Sequence, residues 1–349
     1  MSDVATVNAP DEQGRTPLMH AAAGGVSLDV VLTLLDAGAD LEARDEGGWT
    51  PLVFAAGRNE QPEVVRALLD AGADLEARDG RSWTPLMHAA SLNRCPGVVR
   101  ELLDAGANMN ARGVEGETAL MLAAASSRSA VVIEALLRAG AELEVRSAGR
   151  GAPPLTDVWG NANPEAVPVR LDAASAHHEA REVGGWTALM FAASANENPD
   201  VVRSLLSAGA DVERRDSLGE TALMHAGGRN RNPEVVRAML AAGADLEART
   251  EAGLTALMIA AGGNGSPEVV RALLDAGAKL DDRDEDGWTP LMIAVAENEN
   301  PEVVRVLLDA GSDPKVTDAR GRRVVDIARD NDRLLGTDVY SRLQEAGTS

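Results

Sequence analysis

Aromatic side chains are almost missing from this 349-residue chain: five Trp, two Phe and one Tyr amount to 2 % of it. A core without rings has to be assembled from small aliphatic groups, and the 45 % apolar content is mostly Ala, Leu and Val. Cysteine is represented by Cys95 alone, which excludes an intramolecular disulfide framework and a cysteine-rich metal site. Lysine occurs only at Lys279 and Lys315, so nearly every cation is an arginine. No stretch approaches the ~20 uninterrupted apolar residues of a membrane helix. The opening, MSDVATVNAPDEQGRTP, has neither a basic start nor an apolar run, so no secretory signal is expected. The cytoplasm is then the default compartment, with export by a route that needs no signal peptide left open. Positive charge is scarce as well: 33 basic residues against 55 acidic give a formal charge of −22. Such a field opposes phosphate backbones, and no basic stripe with interleaved aromatics offsets it. Neither nucleic acid nor membrane is an expected partner.

What the chain has in abundance is itself. A WTPL-like phrase places Thr at 16, 50, 84, 118, 187, 221, 255 and 289. Successive intervals are 34, except for 69 between Thr118 and Thr187, which holds one altered unit of 35. One further step reaches Arg323, in a polar closing unit. Ten repeats starting near 16, 50, 84, 118, 153, 187, 221, 255, 289 and 323 therefore cover nearly all of residues 1–349. Self-similarity at this period means a solenoid or array.

Repeat 2, residues 50–79, can be read from its own chemistry. Thr50 is an N-cap type and Pro51 suits the first helical position, so LVFAAG continues as a short helix. Asn59 is expected in the left-handed conformation that ends helices. Gln61, Pro62 and Glu63 then start a second helix, with Val64, Val65, Leu68 and Leu69 on one face and Arg66 and Asp70 away from it. Gly72 stops it, and ADLEARDGRSW runs out as an extended arm. No repeat can bury its own apolar face; stacked neighbours do that.

The phrase GWTPLVFAAGRN…PEVVRALLDAGADLEARD resembles the ankyrin repeat, with its T-P-L-H-x-A signature and G-A-D arm, over about residues 12–349. Two departures are visible. The family's His after T-P-L is Met here (Met19, Met87, Met190, Met224, Met258, Met292), and the usual 33 residues have become 34 through the loop between the helices. The resemblance implies an all-α, curved solenoid, each repeat a helix–loop–helix with a projecting β-hairpin arm. With ~10 Å per repeat it would be roughly 100 Å long. The end repeats read as caps: SLDVVLTLLDAG lacks the Pro-led start, and GTDVYSRLQEAG supplies a final helix around Tyr340 within a C-terminal cap, 317–349.

The resemblance also implies contact with partner proteins through the concave face and arm tips. The residue before the Thr reads Arg15, Trp49, Trp83, Glu117, Trp186, Glu220, Leu254, Trp288 and Arg322, with the fifth displaced. It varies while its neighbours stay fixed, as a contact position would, and Trp is an enriched interface anchor. The plainer reading is that the rings pack over the next arm as framework. Trp49 with Trp83, and Arg58 and Leu92 at the ends of their first helices, form the expected anchor patch; Trp186 and Trp288 extend it. Along the arms, Glu42, Glu76, Glu144, Glu213 and Glu247 share one position, and Arg44, Arg78, Arg112, Arg215, Arg249 and Arg283 lie two residues on. Neighbouring arms could pair them as a Glu–Arg ladder, or leave them as a solvated lattice worth ~0–1 kcal/mol per pair.

Little else suggests chemistry. His20, His88 and His225 follow the Met of their first helices and read as packing residues. His20 and His88 lie two repeats apart, too far to share an ion with ~2 Å ligand bonds. The degenerate fifth repeat, 148–186, has gained Trp159, carries Pro168 where a helix should continue, and has Ala174 for the terminating Gly. Its Thr156, Asp157, His177 and His178 match no catalytic or metal-ligand spacing, and a decayed repeat acting as a bend accounts for them more simply. AGGNGSPEVV (261–270) lacks the Lys-Ser/Thr ending of a phosphate loop, and Cys95 has no partner thiol or base. The sequence therefore points to a non-enzymatic, monomeric scaffold for a protein partner, without catalytic residues, cofactor or metal. Its acidic arms favour a basic partner. The alternative is an acidic inhibitor or decoy that occupies a basic, nucleic-acid-binding protein.

Overall fold

The protein is described by a computed structural model covering residues 4–127, 129–148 and 184–348. It divides into two compact units, residues 1–149 with 207–210 and residues 150–206 with 211–349. The first opens with a short helix, Val4–Val7, followed by four helix pairs: Pro17–Ala22 with Leu28–Asp36, Pro51–Arg58 with Pro62–Asp70, Pro85–Leu92 with Pro96–Asp104, and Ala119–Ser126 with Ala130–Arg138. The second carries repeats 6 to 9, in which the first helices are Ala188–Ala195, Ala222–Arg229, Ala256–Gly263 and Pro290–Glu297. Their second helices are Pro199–Ser207, Pro233–Ala241, Pro267–Asp275 and Pro301–Asp309. It closes with Val324–Ala328 and Asp338–Thr348. The expected bend in the fifth repeat, with Trp159, Pro168, His177 and His178, lies outside the described residues.

The first helices start where Thr predicts. Thr50 Oγ1 accepts the Val53 N–H and Thr84 Oγ1 the Met87 N–H, at 3.4 and 3.3 Å, satisfying one of the donors a helix start leaves open. Met19, Met87, Met190, Met224, Met258 and Met292 are buried in the stack. The second helices bury one stripe: Val64, Val65 and Leu68 in repeat 2, and Val269, Val270 and Leu273 in repeat 8. Repeat 1 is less covered. Val26, Val30 and Leu32 stand 37 %, 43 % and 42 % exposed.

Asn59 departs from expectation. Its backbone is extended (φ −91°, ψ 128°) rather than left-handed, because its side chain has a longer-range task. The Asn59 amide donates to Ala22 O at 3.0 Å, across to the preceding repeat. Asn93 reaches Ala56 O and Asn59 O, Asn230 reaches Ala193 O and Asn196 O, and Asn264 reaches Gly227 O and Asn230 O, all at 2.7–2.9 Å. Asn298 and Asn331 continue the series. The last carbonyls of a helix have no partner within it; here the next repeat supplies one.

The arms are hairpin-like in path but hold no strand among the described residues, apart from an isolated bridge between Thr317 and Arg323. Each is a tight turn, closed in repeat 3 by Asp79 N–H to Trp83 O and Ser82 N–H to Asp79 O. Backbone groups left without a sheet are met by the charged columns. Arg44, Arg78, Arg215, Arg249 and Arg283 each donate from Nη1 to a carbonyl of their own turn and to one 34 residues on, such as Arg78 to Ser82 O and Arg112 O at 2.9 Å. Glu42, Glu76 and Glu213 accept the N–H of residues 74, 108 and 245 at 2.7–2.8 Å. At these positions the charged columns bond to backbone groups of the neighbouring arms.

Candidate partner-binding face

Three positions of each repeat build this face: the arm residue before the Thr, the residue four after the Thr, and the last turn of the first helix. In repeat 2 they are Trp49, Phe54 and Arg58. The Trp49 ring meets Phe54 edge-on, with centroids 5.2 Å apart, and lies 4.4 Å from the His88 ring of the next repeat. The Arg58 guanidinium sits 5.3 Å above Trp49 and 5.6 Å from Phe54, and Arg15 of the preceding arm is 5.5 Å from Phe54. Leu92 joins them across Gly57: Leu92 Cδ1 and Trp49 Cζ3 lie 3.5 and 3.9 Å from where a Gly57 Cβ would be. Trp49 and Leu92 are half-buried and Arg58 is exposed, so the structure brings together three of the expected anchors.

Trp83 and Trp186 are placed differently: they are 1 % and 0 % exposed. Trp83 packs on His88 at 5.4 Å and donates its indole N–H to the Glu117 carboxylate of the next arm. That arm has Gly113 where its neighbours have Asp79 or Asp45, and a Cβ there would fall within 3 Å of the Glu117 carboxyl group. Glu117 takes over the missing aspartate's turn-closing role, accepting the Glu115 N–H at 2.9 Å. Trp186 lies against Phe191 at 5.3 Å and His225 at 4.1 Å, with the Arg229 guanidinium 5.1 Å away. Trp288 is half-buried beneath Arg322, at 5.4 Å. The Trp positions in the described residues thus share a feature that spacing alone did not reveal: a guanidinium over each ring, Arg81 at 5.9 Å serving Trp83.

The histidines of the described residues pair with arm aspartates nine residues earlier. Asp79 Oδ1 accepts the N–H groups of Arg81 and Trp83, while Oδ2 lies 2.9 Å from His88 Nε2. Asp216 does the same for Leu218, Glu220 and His225, and Asp11 reaches His20. Burial would push the Asp79 and Asp216 carboxyls up, but the imidazole hydrogen bond and charge, with the backbone donors, hold both below the ordinary value. Asp284 is the counter-example. Ile293 occupies the histidine's place in its repeat, and burial pushes this carboxyl up despite the Trp288 N–H. A recurring Asp-x8-His spacing was the available signal for these pairs.

One group of possible metal ligands converges among the described residues: Asp216, Glu220 and His225, within 4.8 Å of one another. The two ring nitrogens of His225 face different carboxylates, Nε2 to Asp216 at 3.1 Å and Nδ1 to Glu220 at 3.5 Å. An imidazole held between two carboxylates accounts for the arrangement without an ion.

With the helix pairs, turn-closed arms and stacked face in view, comparison with known families is direct. The model for ankyrin repeats (3 copies) matches residues 3–79, 59–147, 160–250 and 228–318. The chain belongs to the ankyrin-repeat family. Ankyrin repeats are generally protein–protein interaction modules and typically non-enzymatic. The chain matches no individual curated protein. No helix among the described residues of this ankyrin-repeat protein is long and apolar enough to cross a membrane.

Proposed function

We propose that this chain is a non-enzymatic, monomeric scaffold that binds a protein partner along the face formed by the pre-Thr arm residues and the last turn of each first helix. Arg58 carries the reading. Its guanidinium lies over Trp49 and Phe54, yet among the described residues it has neither a hydrogen bond nor an ion pair. A cation laid on aromatic faces and left without an internal acceptor is suited to contact across an interface. Trp49, Arg58 and Leu92 form the principal anchor and Trp288 a second; Trp83 and Trp186 act from beneath by fixing His88 and His225. The surface is ordered before binding, so little conformational entropy is lost when a partner docks. The −22 charge steers a basic partner towards it.

The decoy reading is less favoured, because Glu42, Glu76, Glu213 and the turn-closing aspartates are already engaged with backbone N–H groups. Capture from source lysate tests the face. Trp49→Ala with Trp288→Ala should lose a protein that wild type retains, while melting stays unchanged. Trp83→Ala with Trp186→Ala should instead melt early. Equal retention by wild type and the first variant would move the binding surface elsewhere, and retention that collapses with modest salt would restore the decoy reading.

A further inference from the structure

Arg15, Arg58, Trp49 and Phe54 line a cleft of about 260 Å³, with Gln13 and Asp45 at its edge. Its walls are cations with little to hold. Arg15 Nε is buried without a hydrogen-bond partner, and its ion pair with Asp45 is 3.7 Å long, beyond hydrogen-bond distance. Asp45 turns to Arg15 because its own repeat has Phe54 where the Asp79 and Asp216 repeats have a histidine. Arg58 has no acceptor among the described residues. Pressed onto two rings, it is held below the usual guanidinium value by burial and then by the charge of Arg15, with Asp45 only partly compensating. Other surface arginines have carboxylate partners, Arg66 in Glu101, Arg203 in Asp200 and Arg305 in Asp338; what sets this cleft apart is that two guanidiniums converge on one opening.

We propose that this cleft receives a single carboxylate, the side chain of an acidic residue in the partner protein, forked between Arg15 and Arg58 with its methylenes against Trp49. The inference rests on the partner-binding face proposed above and names the chemistry of its anchor. A guanidinium fork matches a carboxylate in two parallel hydrogen bonds, and the aromatic floor accepts the aliphatic stem of a glutamate. Asp45 and Glu46 at the rim, together with the chain's overall charge, disfavour a phosphodiester backbone. Long-range steering of a basic partner and local capture of one acidic side chain act at different distances, because charges beyond ~8 Å are largely screened at physiological salt.

The test uses the full chain and fluorescent nonapeptide pools with Glu, Gln, Lys or phosphoserine fixed at the centre and Ala, Gly, Leu and Ser elsewhere, at about 0.15 M salt. The Glu pool should bind about tenfold or more tightly than the Gln pool. Arg58→Ala and Arg15→Ala should each remove that preference, Arg58→Lys should restore only part of it, and the indole NMR signal of Trp49, assigned through Trp49→Phe, should shift with the Glu pool alone. Equal binding of the Gln pool, preference for the Lys or phosphoserine pool, no binding by any pool, or an unaltered Arg58→Ala variant would each overturn the proposal. The two readings separate in the capture experiment. If Trp49→Ala with Trp288→Ala loses the partner but Arg15→Ala with Arg58→Ala keeps it, and the Glu pool does not compete, the acidic anchor fails while the face stands. If neither variant alters capture, both fail.

Discussion

Burial raises a carboxyl beside an imidazole and one beside an isoleucine alike, yet their net shifts are opposite, and the repeats provide both in one frame. Asp79 has His88 and titrates low; Asp284 has Ile293 nearby in the equivalent place and titrates high. Asp79→Asn should therefore cost about 2–3 kcal/mol at pH 7, read from urea midpoints, whereas Asp284→Asn should be neutral or stabilising. The pH dependence follows from the signs. The Asp79 contribution is complete above the unfolded carboxyl value of 3.8 and is lost as pH falls through its lower folded value. The penalty at Asp284 is absent in acid and develops as pH rises through its elevated folded value. The gap between wild type and Asp79→Asn should narrow below pH 3.8, and a constant gap would contradict the assignment. Much of this was legible, since Asp-x8-His recurs at Asp11, Asp79 and Asp216. The burial of Trp83 was not, because it depends on Glu117 in the next repeat and on the space Gly113 leaves for its carboxyl group.

At the scale of the element, the arm turns require a left-handed residue two before the Thr, and glycine supplies it at Gly48, Gly219, Gly253 and Gly287. Repeat 3 places Ser82 there with φ 61°. Removing a Cβ from that conformation gains about 1–2 kcal/mol and loses part of it to unfolded-state entropy. Ser82→Gly should accordingly stabilise by about 0.5–1 kcal/mol, with a higher urea midpoint as the readout; no change would mean that the turn relaxes around serine. The asparagine series makes the opposite prediction. Asn264→Ala leaves the carbonyls of Gly227 and Asn230 without their donors and should cost about 2–4 kcal/mol. Amide exchange should rise at the junction of repeats 7 and 8 before it rises elsewhere. Both helices of repeat 2 could be placed from caps, prolines and apolar spacing. The role of Asn59 could not, because a local reading sees a helix end and misses the acceptor 37 residues earlier.

For the whole molecule the controlling quantity is register. Asn side chains reach back one repeat, while Arg and Glu side chains reach forward by 34 and 32 residues. Deleting residues 255–288, one full period, would bring Asn298 to the carbonyls of Gly227 and Asn230 that Asn264 now serves. That variant should fold cooperatively, with circular dichroism per residue unchanged. Deleting only 255–284 breaks the register and should leave the repeats on either side exposed to proteolysis. The periodicity was visible in the Thr spacing, whereas the bonds that make it mechanical emerge only when neighbours are stacked. They also give synthesis a direction. In repeats 1, 2 and 6 to 9 a newly made first helix carries open carbonyls until the asparagine one repeat later emerges, and at the usual pace of translation that interval is roughly 2–7 s. The nascent protein therefore carries a travelling, unfinished end, and the Asn331 of the last repeat is what finally retires it.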